Sequence, residues 1–153
     1  VRRILAAAAA ILGVLALFAG KAPAIHSVAP VELAEWIRDR KPHLRVVDVR
    51  AEAEFDEYHL PRAERLTPAT TFAPDDTIVL VAGGSVRARN VYLLRGGVQG
   101  WIDEVLNPTI TADAPPSARA AYERASIVSR YFGGVPRVVD KPPAVHSVRR
   151  RGC

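Results

Sequence analysis

Apolar and polar positions divide the chain into three stretches. Residues 4–20 are an unbroken apolar run, bounded by Arg2-Arg3 before it and Lys21 after it. Between residues 25 and 107 short apolar segments alternate with polar ones, and from Pro108 onward proline, alanine and arginine dominate. Within the middle stretch, Val31, Leu33, Ala34 and Ile37 recur at helical spacing, so residues 31–40 predict a helix entered at Ala29-Pro30. The β-branched runs at 44–49 and 77–82 predict buried strands, with further strands at 63–66 and 90–94. Residues 52–58 read as a short acidic helix, 98–106 as a helix carrying Trp101, and 117–132 as a helix stopped by Gly133-Gly134. Strands alternating with helices predict an α/β domain, a mostly parallel sheet with helices on both faces.

The domain boundaries follow from these shifts: a membrane signal over 1–24, the α/β domain over 25–107, and a linker and C-terminal helix over 108–134. A disordered Pro/Arg-rich tail over 135–153 ends in Cys153. A helix of the length of the N-terminal run spans roughly 25 Å, slightly short of a bilayer core. Ala22-Pro23-Ala24 supplies a small-x-small cleavage pattern. The run therefore reads as either a signal peptide or a signal-anchor transmembrane helix, and Lys21, interrupting the approach to the cleavage site, favours the anchor. Both readings keep Arg2 and Arg3 cytoplasmic and export the remainder. The expected location is the bacterial cytoplasmic membrane facing the periplasm, or the periplasm itself if the segment is cleaved.

Composition changes this picture in two respects. The chain has 153 residues, a net charge of +5 and a pI near 9.9, but five of its 21 basic residues lie at the two ends. That placement suits membrane topology and a tail rather than a nucleic-acid surface, which needs basic side chains clustered on one folded face. Cys153 is the only cysteine, so no internal disulfide can form and no thiol stands in the core. It leaves three readings open: an intermolecular disulfide linking two copies or a partner protein, a mobile thiol that passes sulfur, or no role.

Three motifs in order carry a family resemblance. They are Val46-Val47-Asp48-Val49-Arg50 with Glu54 and His59-Leu60-Pro61 after it, the strand Thr77 to Val81, and Asn90 to Trp101 with Arg95-Gly96-Gly97 inside it. The stretch from Ile25 to Leu106 resembles a rhodanese domain, the fold of thiosulfate sulfurtransferases. The resemblance implies a loop after the central strand whose cysteine holds a sulfane sulfur as a persulfide, stabilised by surrounding backbone N–H groups. It also implies that Asp48, Arg50, Glu54, His59, Arg95, Gly96, Gly97 and Trp101 are scaffold of the motif rather than chemistry.

The sequence departs from that pattern twice. Ala82 stands where the nucleophile belongs, and a methyl group can neither ionise nor attack. Ser85 is the nearest hydroxyl, and no histidine is placed to activate it. In addition, only residues 83–89 separate two strands that the family joins through a helix, so one crossover helix looks lost. Seven extended residues reach at most about 25 Å, enough to return along a strand but not to cover the sheet as well. Three outcomes are open: an antiparallel hairpin, an open apolar groove, or the 117–132 helix recruited into the gap through Ala121, Ala125 and Val128.

For function, the resemblance and its departures imply an exported or membrane-tethered rhodanese-like domain without sulfurtransferase activity, acting as a binding or accessory module. The alternative is a sulfurtransferase or persulfide carrier using Cys153. A small sulfur oxyanion is the expected ligand class, held by Gly83, Gly84 and Ser85 with the guanidinium groups of Arg87 and Arg89. No cofactor is implied. His26, His43 and His146 show no ligand spacing to one another or to Cys153, so no metal site is expected.

Overall fold

The computed structural model describes residues 26–140, whose main sheet has five parallel strands in the order β1-β5-β4-β2-β3. These are β1 (His26–Val28), β2 (Leu44–Asp48), β3 (Ala63–Arg65), β4 (Thr77–Leu80) and β5 (Asn90–Leu94). β4 is central and wholly buried, which explains its unbroken Ile-Val-Leu run: side chains alternate between two covered faces, so neither set can be polar. β1 is a strand that apolar patterning does not announce. Its three residues form an edge in register with Tyr92 to Leu94.

α1 (Pro30–Arg38) starts with Ala29 extended and Pro30 in the first turn, and it buries Leu33, Ala34 and Ile37 along one stripe. α2 (Glu52–Glu57) buries none of its residues and serves as a spacer between β2 and β3. α3 (Gly97–Trp101) continues into a π-helical turn (Ile102–Leu106), closed by Asn107 N–H donating to Ile102 O at 2.9 Å. α4 (Pro116–Tyr131) is the longest helix. Trp101, Leu33, Val79, Val81, Val105 and Val128 lie in one cluster between these helices and the sheet.

Four expectations are corrected. Among the described residues helices cover one face only. The opposite face, built on Val47, Ile78, Leu80 and Val91, is covered by Leu66, Phe72, Val86 and Ala88 from connecting segments. The strands flanking the short crossover pair in parallel, Thr77 with Asn90 through Leu80 with Leu93, so no hairpin forms. The chain returns along the sheet without a helix, bent at residues 87 and 89 and with Ala88 N–H donating to Val86 O at 3.1 Å. The C-terminal helix does not enter the gap: α4 packs on α1 and the π turn, with Val128 in the helix-covered cluster. Ala125, Ser126, Val128 and Ser129 are buried, while Ala121 is exposed.

The fourth correction concerns the linker and tail. Residues 109–111 and 137–139 form β6 (Thr109–Thr111) and β7 (Arg137–Val139), a parallel pair. Val135 N–H donates to Leu106 O at 2.7 Å, and Arg137 N–H to Pro108 O at 2.9 Å. Gly133 leaves the helix with φ 76°, and a side chain on Gly134 would meet Leu106 O at 2.4 Å, so only glycine lets the chain pass. The apolar run at 4–20 and Cys153 lie outside the described residues. Among those described, no helix is long and apolar enough to cross a membrane.

Candidate functional site

Because β5, β4 and β2 are neighbours, their carboxyl ends bring the three motif segments to one edge of the sheet, the place where open α/β sheets bind ligands. The turn after β5 abuts the end of β4: Gly96 and Gly97 have φ of 71° and 55°, and a side chain on Gly97 would meet Val81 O at 2.9 Å. The loop after β4 abuts β2, since a side chain on Gly84 would touch Val49 at 3.5 Å. Val81 N–H donates to Val47 O at 3.0 Å and fixes the level at which the loop leaves the sheet.

Ala82 is half-buried at that exit, and Gly83, Gly84 and Ser85 are exposed beyond it. Among the described residues, the N–H groups of 82–85 meet no protein acceptor. The edge therefore presents backbone donors without a nucleophile. Ser85 makes no hydrogen bond to a histidine, and His59 is engaged elsewhere. Its Nδ1–H donates to Phe55 O at 3.0 Å while the ring stacks on Phe55 at 4.2 Å.

Of the remaining motif residues, Asp48 and Arg50 tie this edge together. Asp48 is fully buried and accepts from Arg50 N–H at 3.0 Å and from its guanidinium at 2.6–3.1 Å. Arg50 also donates to Tyr58 O at 2.7 Å, tying β2 to the His59-Leu60-Pro61 turn. The hydrogen bond to Asp48 raises the Arg50 pKa against the opposing effect of burial. The Glu54 carboxylate accepts from Ala51 N–H at 3.3 Å and caps α2. Arg95 reaches Glu104 at 3.4 Å on the surface. Trp101 is core, edge-on to Phe132 at 5.1 Å. Burial raises the Tyr58 phenol pKa, with the nearby Trp101 indole opposing, and the indole N–H has no hydrogen-bond partner among the described residues.

Arg87 and Arg89 do not join this edge as a pair. Val86 and Ala88 pack on the helix-free face, while Arg87 and Arg89 are exposed as the chain runs back. Arg89 precedes Asn90, which pairs with Thr77 at the start of β4. Five residues of strand, about 17 Å, separate that level from Ala82. An oxyanion at Gly83–Ser85 would therefore meet backbone donors without Arg89.

Residues 82–89 line none of four cavities found among the described residues. The fold also assembles a cluster that sequence spacing does not reveal. His43, Asp75 and Asp76 place possible ligand atoms within 4.8 Å of one another, because β2 and β4 start side by side. Two of its members already have structural partners: Asp76 accepts from Ala73 N–H at 2.8 Å and pairs with Arg45 at 3.4 Å. Asp75 pairs with His43 at 3.1 Å. Comparison with protein-family models, curated proteins and solved structures returns no match to this chain.

Proposed function

We propose that this chain is a membrane-tethered, exported rhodanese-like domain without sulfurtransferase chemistry, acting as a binding or accessory module. One observation carries the reading: the loop at the carboxyl end of the central strand bears Ala82, between Val81, which the Gly97 turn abuts, and Gly84, which lies against Val49. A thiol there would be needed for a persulfide; a methyl group supplies neither electron pair nor proton. What the edge offers instead is a short row of backbone donors on an open surface, suited to a small anion or to a carbonyl of a partner chain. The convergence of the three motif segments supports the family resemblance, and the apolar run at 4–20 supports export.

Thiosulfate:cyanide sulfurtransferase assays on the purified full chain test this. No turnover is expected, from wild type or from Cys153→Ser. Turnover that Cys153→Ser abolishes would replace the proposal with a carrier using the tail thiol. Turnover that survives the substitution would exclude both.

A further inference from the structure

The end of the sheet opposite the candidate site has a composition the proposed function does not use. Every strand of the main sheet runs the same way, so β1 enters at the strand-start end. His26 follows the apolar run closely: six residue steps separate it from Gly20, a reach of at most about 22 Å. A folded unit of 115 residues has a diameter of roughly 35 Å. If residues 4–20 are anchored, the tether is shorter than the domain, and the strand-start end stays next to the bilayer.

That end is aromatic and basic. The His26 ring lies 5.6 Å from Tyr92, and Trp36 meets the same tyrosine edge-on at 5.4 Å. Lys41 Nζ sits 3.8 Å over the Trp36 ring. α1 runs back against the strands, so its C-terminus brings Arg40 and Lys41 here, while Arg62 and Arg89 precede β3 and β5. Arg40, Lys41, Arg62 and Arg89 have no ion-pair partner among the described residues. Of the local acids, Asp39 pairs with Arg38, Asp76 shares Arg45 with Glu64, and Asp75 lies 3.1 Å from the His43 ring. Tyr131, 60% exposed at the end of α4, shares a 490 Å³ cavity with Arg40 and Arg62. The acidic helix α2, with Glu52, Glu54, Asp56 and Glu57, follows β2 and so lies at the other end.

We infer that the strand-start end is seated on the headgroup region of the anionic bilayer that holds the anchor. The inference rests on the anchored reading proposed above. Tryptophan and tyrosine prefer the interface between hydrocarbon and water, and unpaired lysine and arginine are drawn to anionic lipid. Seating this end on the membrane points the Ala82 edge away from it, toward soluble partners.

The two tryptophans make the test direct, because Trp101 is fully buried in the core and Trp36 is not. Full-length protein is placed in nanodiscs containing phosphatidylglycerol and lipids brominated near the headgroup. Tryptophan emission is expected to fall by about half relative to unbrominated discs, a loss that requires Trp36 at the interface. Trp36→Phe, which keeps a ring against Tyr92, should abolish the quenching. Should that variant misfold, the combined Arg40→Glu, Lys41→Glu and Arg89→Glu variant keeps both tryptophans and should weaken the quenching about twofold. Protein that floats with vesicles and resists alkaline carbonate, yet shows unquenched Trp36, overturns the inference and leaves the anchor standing. Protein that fails to float overturns the anchor and the inference together.

Discussion

Twelve buried residues form the cluster between the sheet and its helices, whereas the other face buries four, Val47, Ile78, Leu80 and Val91, under connecting chain alone. The two faces belong to the same strands, and alternate residues of β4 serve one or the other. What differs is the cover. A helix lays a continuous apolar stripe across several strands, while residues 83–89 contribute only Val86 and Ala88. Stability therefore concentrates on the helical side, and the crossover beside the Ala82 edge is free to move at low cost.

Truncation on the two faces should separate them most strongly. Trp101→Ala is expected to cost about 3–5 kcal/mol in urea unfolding, because the ring fills the centre of the helical cluster. Leu80→Ala should lie near the lower end for such changes, about 2 kcal/mol, since a thin cover can settle into the space left. Equal losses would mean that the two faces are equally packed.

A smaller effect tests the crossover. Val86→Ala should lower stability by about 1 kcal/mol, and in native-state hydrogen exchange the amides of 82–89 should open far more readily than those of β4. Protection of the crossover at the level of β4 would contradict its weak attachment.

The smallest effect concerns how α4 is held on the helical side. Arg124 Nε donates to the Glu35 carboxylate at 2.6 Å and Nη2 makes a second, shorter contact. That hydrogen bond lowers the Glu35 pKa from its ordinary 4.5, with burial opposing. Because the folded value is depressed, the contribution is complete above about pH 4.5 and fades as pH falls through the folded value. Arg124 is largely exposed, so Arg124→Ala should cost less than about 1 kcal/mol at neutral pH. The difference from wild type, read from thermal melts, should close in acid.

Local patterns in the residues carried much of this fold. Leu33, Ala34 and Ile37 marked α1 because a helix returns a side chain to the same face every three to four positions. Residues 90–94 were legible as a strand from their branched apolar run. Three short strands were missed, at His26–Val28, Thr109–Thr111 and Arg137–Val139. A three-residue edge segment has too few positions to establish alternation, and its pairing depends on a partner distant in sequence. The His43, Asp75 and Asp76 cluster was illegible for the same reason: its members meet only because two strands begin side by side.

The lack of a thiol in the loop at Ala82 was settled by composition, since the one cysteine stands at position 153. So was the β-strand character of Thr77 to Val81, whose length and branching suit little else. Tertiary structure decided where the crossover went and what lay over it. Val86 and Ala88 alternate with Arg87 and Arg89 in a way that fits an exposed loop or a half-buried strip equally well, until a parallel partner fixes which side faces the sheet. The fate of the C-terminal helix was likewise a question of competing surfaces. Ala125 and Val128 are apolar enough for either face, and in the fold the helix lies on α1 and the π turn.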